Sequence, residues 1–139
     1  MIGVIGFGRF GHLTTRYLAG DFRVEVYSRR DRAADIRAVG GIPAGLATAC
    51  RQKVVILCTP ISTLKSVLGE IAPHLAEDAL VIDVCSVKAA PTRWMRRLLP
   101  PTLSILSTHP MFGPHRAART LAAGKILMCP ERIDTRRSQ

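Results

Sequence analysis

Aromatic side chains are scarce in this chain of 139 residues, at 5% of the composition. Proteins that bind single-stranded nucleic acid stack bases on aromatic rings, so a dedicated nucleic-acid surface is not expected. Acidic residues are also few, since 10 Asp and Glu against 20 Lys and Arg leave a net charge of +10. Because the arginines are scattered along the chain, we attribute the excess to an anionic cofactor, a small anionic substrate and solvated surface.

Long apolar runs are absent too, and no stretch approaches the roughly 20 residues that a membrane helix needs. Met1 leads directly into an apolar run without the basic segment of an export signal, so we expect a cytoplasmic protein with no membrane association. The cysteines form no CxxC pair, and three of them end apolar runs, which favours buried, reduced thiols over disulfides or metal ligands. They are Cys50, Cys58, Cys85 and Cys129.

What the sequence does contain is an alternation of apolar runs with amphipathic stretches. The runs predict strands at residues 2–5, 23–27, 53–58, 79–84, 103–106 and 125–129. The amphipathic stretches predict helices at residues 9–19, 31–39, 60–72 and 92–99. This pattern indicates an α/β fold, a Rossmann-type doubly wound and mostly parallel sheet with helices on both faces. We place one nucleotide-binding domain at residues 1–130 and a polar, frayed tail at 131–139.

A glycine-rich loop follows the first predicted strand and opens the first predicted helix. The GxGxxG spacing is weak by itself, but this context is typical of dinucleotide binding. Gly6 permits the tight turn, Gly8 lets the main chain approach a pyrophosphate, and Gly11 lets helix and strand pack closely. We therefore assign the loop to the cofactor, as Gly6, Phe7, Gly8, Arg9, Phe10 and Gly11.

The second predicted strand lacks the terminal acidic residue that usually holds the ribose hydroxyls of NAD. It ends instead at Ser28, followed by Arg29 and Arg30. Serine and arginine can hold a 2′-phosphate, and Glu25 and Asp31 are misplaced to repel one. NADP is therefore predicted in preference to NAD, with a solvated turn as the alternative role of the two arginines.

Two further segments follow strands at the edge where doubly wound sheets bind ligands. Cys58, Thr59 and Pro60 form either a cofactor-facing loop or a plain turn into a helix. Ser86 and His109 follow neighbouring strands, so we expect them to lie close together. A hydroxyl on one imidazole nitrogen would leave the other free to accept a proton, but a capping serine and a structural histidine are equally consistent.

Four motifs together resemble those of prephenate and arogenate dehydrogenases. "GFGRFG", "VILCTP", "DVCSVK" and "THPMFGP" occur in that family's order, and the last is most similar to the plant and related bacterial arogenate enzymes. The resemblance implies NADP-dependent oxidative decarboxylation of arogenate or prephenate in tyrosine biosynthesis. It also implies that His109 is the catalytic base and that Ser86 is its partner.

The sequence departs from this family in two places. We expect the family's C-terminal helical dimerisation domain to be absent, so the predicted partner is a second copy or a chain that supplies that domain. The segment after "HPMFGP" reads "HRAART" in place of "ESGK", and its cations favour prephenate or another anionic substrate. A non-catalytic NADPH-binding module, and a different dehydrogenase or reductase on the same scaffold, remain alternatives.

Overall fold

The computed structural model describes residues 1–112 and 124–133, which form a seven-stranded sheet with helices packed against it. The strands are β1 (Ile2–Ile5), β2 (Val24–Tyr27), β3 (Ile42–Pro43), β4 (Val54–Leu57), β5 (Leu80–Asp83), β6 (Ser104–Pro110) and β7 (Ile126–Arg132). The helices are α1 (Arg9–Leu18), α2 (Ala33–Ala38), α3 (Leu46–Cys50), α4 (Ile61–Ile71) and α5 (Ala89–Leu98), with a 3-10 turn at Ala72–His74.

The strand order is β3-β2-β1-β4-β5-β6-β7, and the first six strands run parallel. Only β7 among the described strands is antiparallel to its neighbour. The order reverses between β1 and β4, which is the switch point where this class of sheet opens a crevice for ligands. The predicted Rossmann-type, mostly parallel sheet is therefore confirmed.

The two faces of the sheet carry separate apolar layers, as predicted. One layer packs α3, α4 and α5 against the sheet and includes the fully buried Leu64 and Met95. The other packs α1 and α2 against the opposite face and includes Val26 and Ile36. Strands covered on both faces need few polar side chains, which explains why most of them read as continuous apolar runs.

The end of the domain differs from the prediction. The strand expected at 103–106 continues as β6 through Pro110, because β7 pairs with it from Ile105 to Pro110 and places Leu127 opposite His109. The predicted boundary at residue 130 falls inside β7, where Arg132 donates to the carbonyl oxygens of Leu103 and Pro100 at 2.6 Å each. Residues 134–139 of the predicted tail lie outside the described residues.

Two short elements were not predicted, and two of the four predicted helices begin two or three residues away from the predicted start. β3 and α3 lie in the glycine- and alanine-rich segment after Gly41, which is too short to show a period. Helix α2 begins at Ala33, two residues after Asp31, whose carboxylate accepts a hydrogen bond from the Ala33 amide. Helix α5 begins at Ala89 and takes Pro91 into its first turn, where a missing N–H costs nothing.

All four cysteines are free thiols, and Cys50, Cys58 and Cys85 are buried, as predicted. Cys129 is only half-buried because β7 is an edge strand. In the ranges 1–112 and 124–133, no helix combines the length and the apolar character needed to cross a membrane.

Candidate cofactor and active site

A cleft of about 900 Å³ opens at the carboxyl ends of the parallel strands, across the switch point between β1 and β4. Nearly all the predicted site residues line it. They are Gly6, Phe7, Gly8, Arg9, Phe10, Ser28, Arg29, Arg30, Cys58, Thr59, Pro60 and Ser86. Of the predicted set, Gly11 and His109 are not among the lining residues. The sequence therefore located one cleft from segments that are far apart in the chain.

Two of the loop glycines are required by the protein's own packing. Gly6 has a φ of 101°, in the left-handed region that favours glycine, and a Cβ there would lie 2.8 Å from the Cys58 carbonyl oxygen. A Cβ on Gly11 would lie 2.1 Å from the Gly6 carbonyl oxygen. Main chain crosses main chain at this point, so neither clash can be relieved by moving a side chain.

Gly8 has a different environment. It lies in the cleft at the N-terminus of α1, and a Cβ there would meet no protein atom within 4 Å. The first turn of α1 has no side-chain cap and no acidic residue, so its first N–H groups and the helix dipole remain available to an anion. The space in front of Gly8 therefore fits the pyrophosphate of a dinucleotide.

The end of β2 supplies positive charge to the same cleft. Ser28 is half-buried, whereas Arg29 and Arg30 are exposed. Arg32 also lines the cleft, with its guanidinium carbon 5.5 Å from the centre of the Phe7 ring and its Nε 2.5 Å from the Asp35 carboxylate. Sequence reasoning missed Arg32, although a third arginine within five residues was a visible signal.

The nearby acidic side chains are engaged elsewhere. Glu25 is 7% exposed and accepts a hydrogen bond of 2.7 Å from the Gln52 amide. Asp31 turns back to the Ala33 amide at 3.1 Å. Neither carboxylate is among the residues that line the cleft. These contacts agree with the expectation that both carboxylates are misplaced to repel a 2′-phosphate.

The loop after β4 closes the middle of the cleft. Burial raises the pKa of Cys58 to about 12, and its thiol donates to the Thr14 hydroxyl at 3.8 Å. Burial likewise raises the pKa of the cleft residue Cys85 to about 11. Burial therefore disfavours the thiolate form of both residues, which is the form that acts as a nucleophile. The buried hydroxyl of Thr59 has no hydrogen-bond partner in the part of the chain that the structure describes, which suits a ligand contact.

The wall formed by α3 and α4 was not predicted as part of the site. It contributes Leu46, Thr63, Val67 and Glu70 to the cleft. The last three recur at spacings of four and three residues, so they share one face of α4. That spacing is visible in the sequence. It was not recognised as a site because the periodic apolar residues of α4 were assigned to the core.

The second group of predicted residues lies at the far end of the cleft, where Ser86 lines it and His109 precedes the lining residue Pro110. Ser86 is exposed in the loop after β5, and His109 is half-buried near the end of β6. Pro110 and Phe112, which follow His109, line the cleft, and the Phe112 ring lies 6.3 Å from that of Phe10. The loop after His109 therefore contacts the glycine loop across the cleft.

The chain is similar in sequence and in fold to known proteins. Residues 26–132 match a family described as prephenate dehydrogenase, nucleotide-binding domain. Chloroplastic arogenate dehydrogenase 2 of Arabidopsis thaliana is 36% identical over 121 residues, which cover 81% of this chain and 33% of that protein. The structure of Synechocystis arogenate dehydrogenase is similar with a TM-score of 0.79 and 24% identity, over 99% of this chain and 52% of that one.

A second solved structure shows the same fold with ligands. Prephenate dehydrogenase from Aquifex aeolicus, in complex with hydroxyphenyl propionate and NAD+, is similar with a TM-score of 0.75 and 20% identity. The match covers 97% of this chain and 52% of that one. The chain spans a third or less of the length of the curated relatives that it matches.

Proposed function

The chain belongs to the family of prephenate dehydrogenase nucleotide-binding domains, and we propose that it binds NADP and takes part in the oxidative decarboxylation of prephenate or arogenate. One observation carries the cofactor assignment. Gly8 stands at an uncapped helix N-terminus in the cleft, where a side chain would meet no protein atom. Packing does not explain a glycine there, whereas close approach of a pyrophosphate does.

The preference for NADP rests on the charges at the end of β2. Arg29, Arg30 and Arg32 line the cleft just after β2 and can pair with a 2′-phosphate, and Ser28 can donate a hydrogen bond to it. Asp35 neutralises part of the charge of Arg32, so the first two arginines are the stronger candidates. The NAD+ bound by the Aquifex aeolicus enzyme makes NAD the direct competitor in any test.

Titration calorimetry with NADP and NAD tests this choice. We expect NADP to bind more tightly than NAD, and Arg29→Ala to weaken NADP about tenfold or more while NAD is unchanged, because a charge-assisted contact to the phosphate is lost. Arg37→Ala is the matched control, since Arg37 is an exposed arginine of α2 outside the cleft. Preference for NAD, or equal losses for both cofactors, would contradict the proposal.

The chemistry is assigned to the far end of the cleft. The bound cofactor supplies the hydride acceptor at its nicotinamide. His109 accepts the proton of the substrate's ring hydroxyl while the carbon that bears this hydroxyl gives up hydride. The ring carboxylate then leaves as carbon dioxide, its electron pair makes the ring aromatic, and the ring oxygen takes up a proton. Ser86 holds one imidazole nitrogen and thereby keeps the other free for that proton.

The proposed substrates, prephenate and arogenate, carry carboxylates. The net charge of +10 on the chain is compatible with binding them. His115, Arg116 and Arg119, on which the preference for prephenate was based, lie outside the described residues. Turnover with prephenate and with arogenate, followed by NADPH formation, is the test of the reaction. It should be run on the chain alone and with a chain that carries a helical domain, since the proposed partner is a second copy or such a chain. No turnover in either setting would contradict the catalytic proposal and leave cofactor binding to be judged by calorimetry.

A further inference from the structure

A buried carboxylate ends β5 directly before the loop that carries Ser86. Asp83 has no exposed surface. Its Oδ1 atom accepts a hydrogen bond from the Cys85 amide at 2.9 Å and another from the Lys88 ammonium at 2.6 Å. Its Oδ2 atom has no hydrogen-bond partner among the residues that the structure describes. This buried carboxylate therefore has hydrogen bonds to only one of its two oxygens among the described residues.

Lys88 also reaches the neighbouring strand. Its ammonium donates to the carbonyl oxygen of Thr108 at 2.5 Å, and the Thr108 hydroxyl donates back to the carbonyl oxygen of Asp83 at 2.7 Å. These three bonds join the end of β5, the start of α5 and the end of β6. We call this group, formed by Asp83, Lys88 and Thr108, the lysine clamp.

The lysine clamp encloses the two residues proposed for the chemistry. Ser86 lies between Asp83 and Lys88 in the chain, and His109 directly follows Thr108. We propose that Lys88 is a positioning residue that sets the separation and orientation of Ser86 and His109, which rests on the roles proposed for them above. None of the three clamp residues lines the cofactor cleft, so they act through the main chain rather than on a ligand.

The fold has other means of joining these elements. β5 and β6 are already paired in register, with Asp83 opposite Ser107. Helix α5 is also joined to β6 by a bond of 2.8 Å between the hydroxyls of Thr92 and Ser107. Because a buried ion pair is a poor source of stability compared with apolar packing, its presence here is better explained by the geometry that it imposes.

The test compares Lys88→Met with Thr92→Val. The first removes the clamp, and the second removes the other side-chain link between α5 and β6 without touching either loop. We expect Lys88→Met to lower kcat about 10²-fold through misplacement of the reacting groups, with the KM for cofactor unchanged. Thr92→Val should leave kcat unchanged. Lys88→Arg, which can keep both bonds, should restore part of the lost kcat.

A second measurement does not depend on turnover. In NMR spectra, the His109 ring and the Ser86 amide should shift or broaden in Lys88→Met but not in Thr92→Val. Unmoved signals at both positions, or equal losses of kcat in the two variants, would refute the positioning role. A wild-type protein that binds cofactor but turns over neither substrate would refute the proposed function instead, and the spectra would still decide the role of Lys88.

A double variant distinguishes loss of the lysine clamp from loss of the fold. Lys88→Met leaves the Asp83 carboxylate buried without its cation, which can prevent folding. The double variant Asp83→Asn with Lys88→Met has no unpaired buried charge and should fold while still lacking the clamp. If this folded double variant keeps the wild-type kcat and the wild-type His109 signal, the proposal is wrong.

Discussion

The glycine-loop end of the cleft, residues 6–11, is shaped by main chain in contact with main chain, whereas the histidine end, around Ser86 and His109, is held by side-chain bonds. At the glycine-loop end, Gly6 and Gly11 leave no room for a Cβ. At the histidine end, the lysine clamp joins three elements through an ion pair and two hydrogen bonds. Gly6 and Gly11 therefore admit no larger residue, while the lysine clamp is made of side chains that can be exchanged in matched pairs.

The largest expected effect separates the chemistry from cofactor binding. His109→Ala should lower kcat about 10³-fold, because a positioned general base contributes about 10² to 10⁴. Calorimetry should show unchanged cofactor affinity, since His109 does not line the cleft. His74→Ala is the control, because His74 lies in the 3-10 turn before β5, away from its carboxyl end. Retained turnover in His109→Ala would contradict the proposal that His109 is the catalytic base.

The next effect tests whether the glycine-loop end is as rigid as its contacts indicate. Gly11→Ala should destabilise the protein by about 3 kcal/mol and abolish cofactor binding, because the new Cβ would overlap main chain that cannot move aside. Urea unfolding measures the first and calorimetry the second. Gly69→Ala, at an open position inside α4, should instead stabilise by about 1 kcal/mol. Equal stability of the two variants would mean that the main chain of the glycine loop can shift to make room for the added methyl group.

The smallest effect distinguishes ligand space from packing within the glycine loop itself. Gly8→Ala should leave the free energy of unfolding within about 0.5 kcal/mol of the wild type, because the new methyl group meets no protein atom. Cofactor affinity should nevertheless fall about tenfold, or ~1.4 kcal/mol, since that methyl would occupy the space of the pyrophosphate. Full affinity in the folded variant would place the pyrophosphate elsewhere.

The two ends also differ in how far the sequence predicted them. The glycine loop, the arginines after β2 and the loop after β4 were all assigned to one site, and the structure places them in one cleft. Their signals are local, because residue type and the preceding strand are read directly from the chain. Arg32 was missed, since its position over Phe7 depends on how α2 meets the loop.

At the histidine end, Ser86 and His109 were predicted as site residues, but the strand pairing and the side-chain bonds around them were not predicted. Ser86 and His109 were assigned from motifs, and their roles stay predictions. The strand that contains His109 was predicted to be too short, because its pairing partner, β7, begins at Ile126, sixteen residues after β6 ends at Pro110. The lysine clamp was not predicted, because Lys88 and Asp83 bond to Thr108 from positions 20 and 25 residues away in the chain.

The sequence by itself determined the class of sheet and the glycine loop, because hydrophobic period and glycine sterics act over a few neighbouring residues. The tertiary structure alone decided the α4 wall of the cleft, the position of Arg32, the extent of β6 and the lysine clamp. Each of these depends on a contact between segments that the chain separates widely, and such contacts are settled only when strands pair and helices pack.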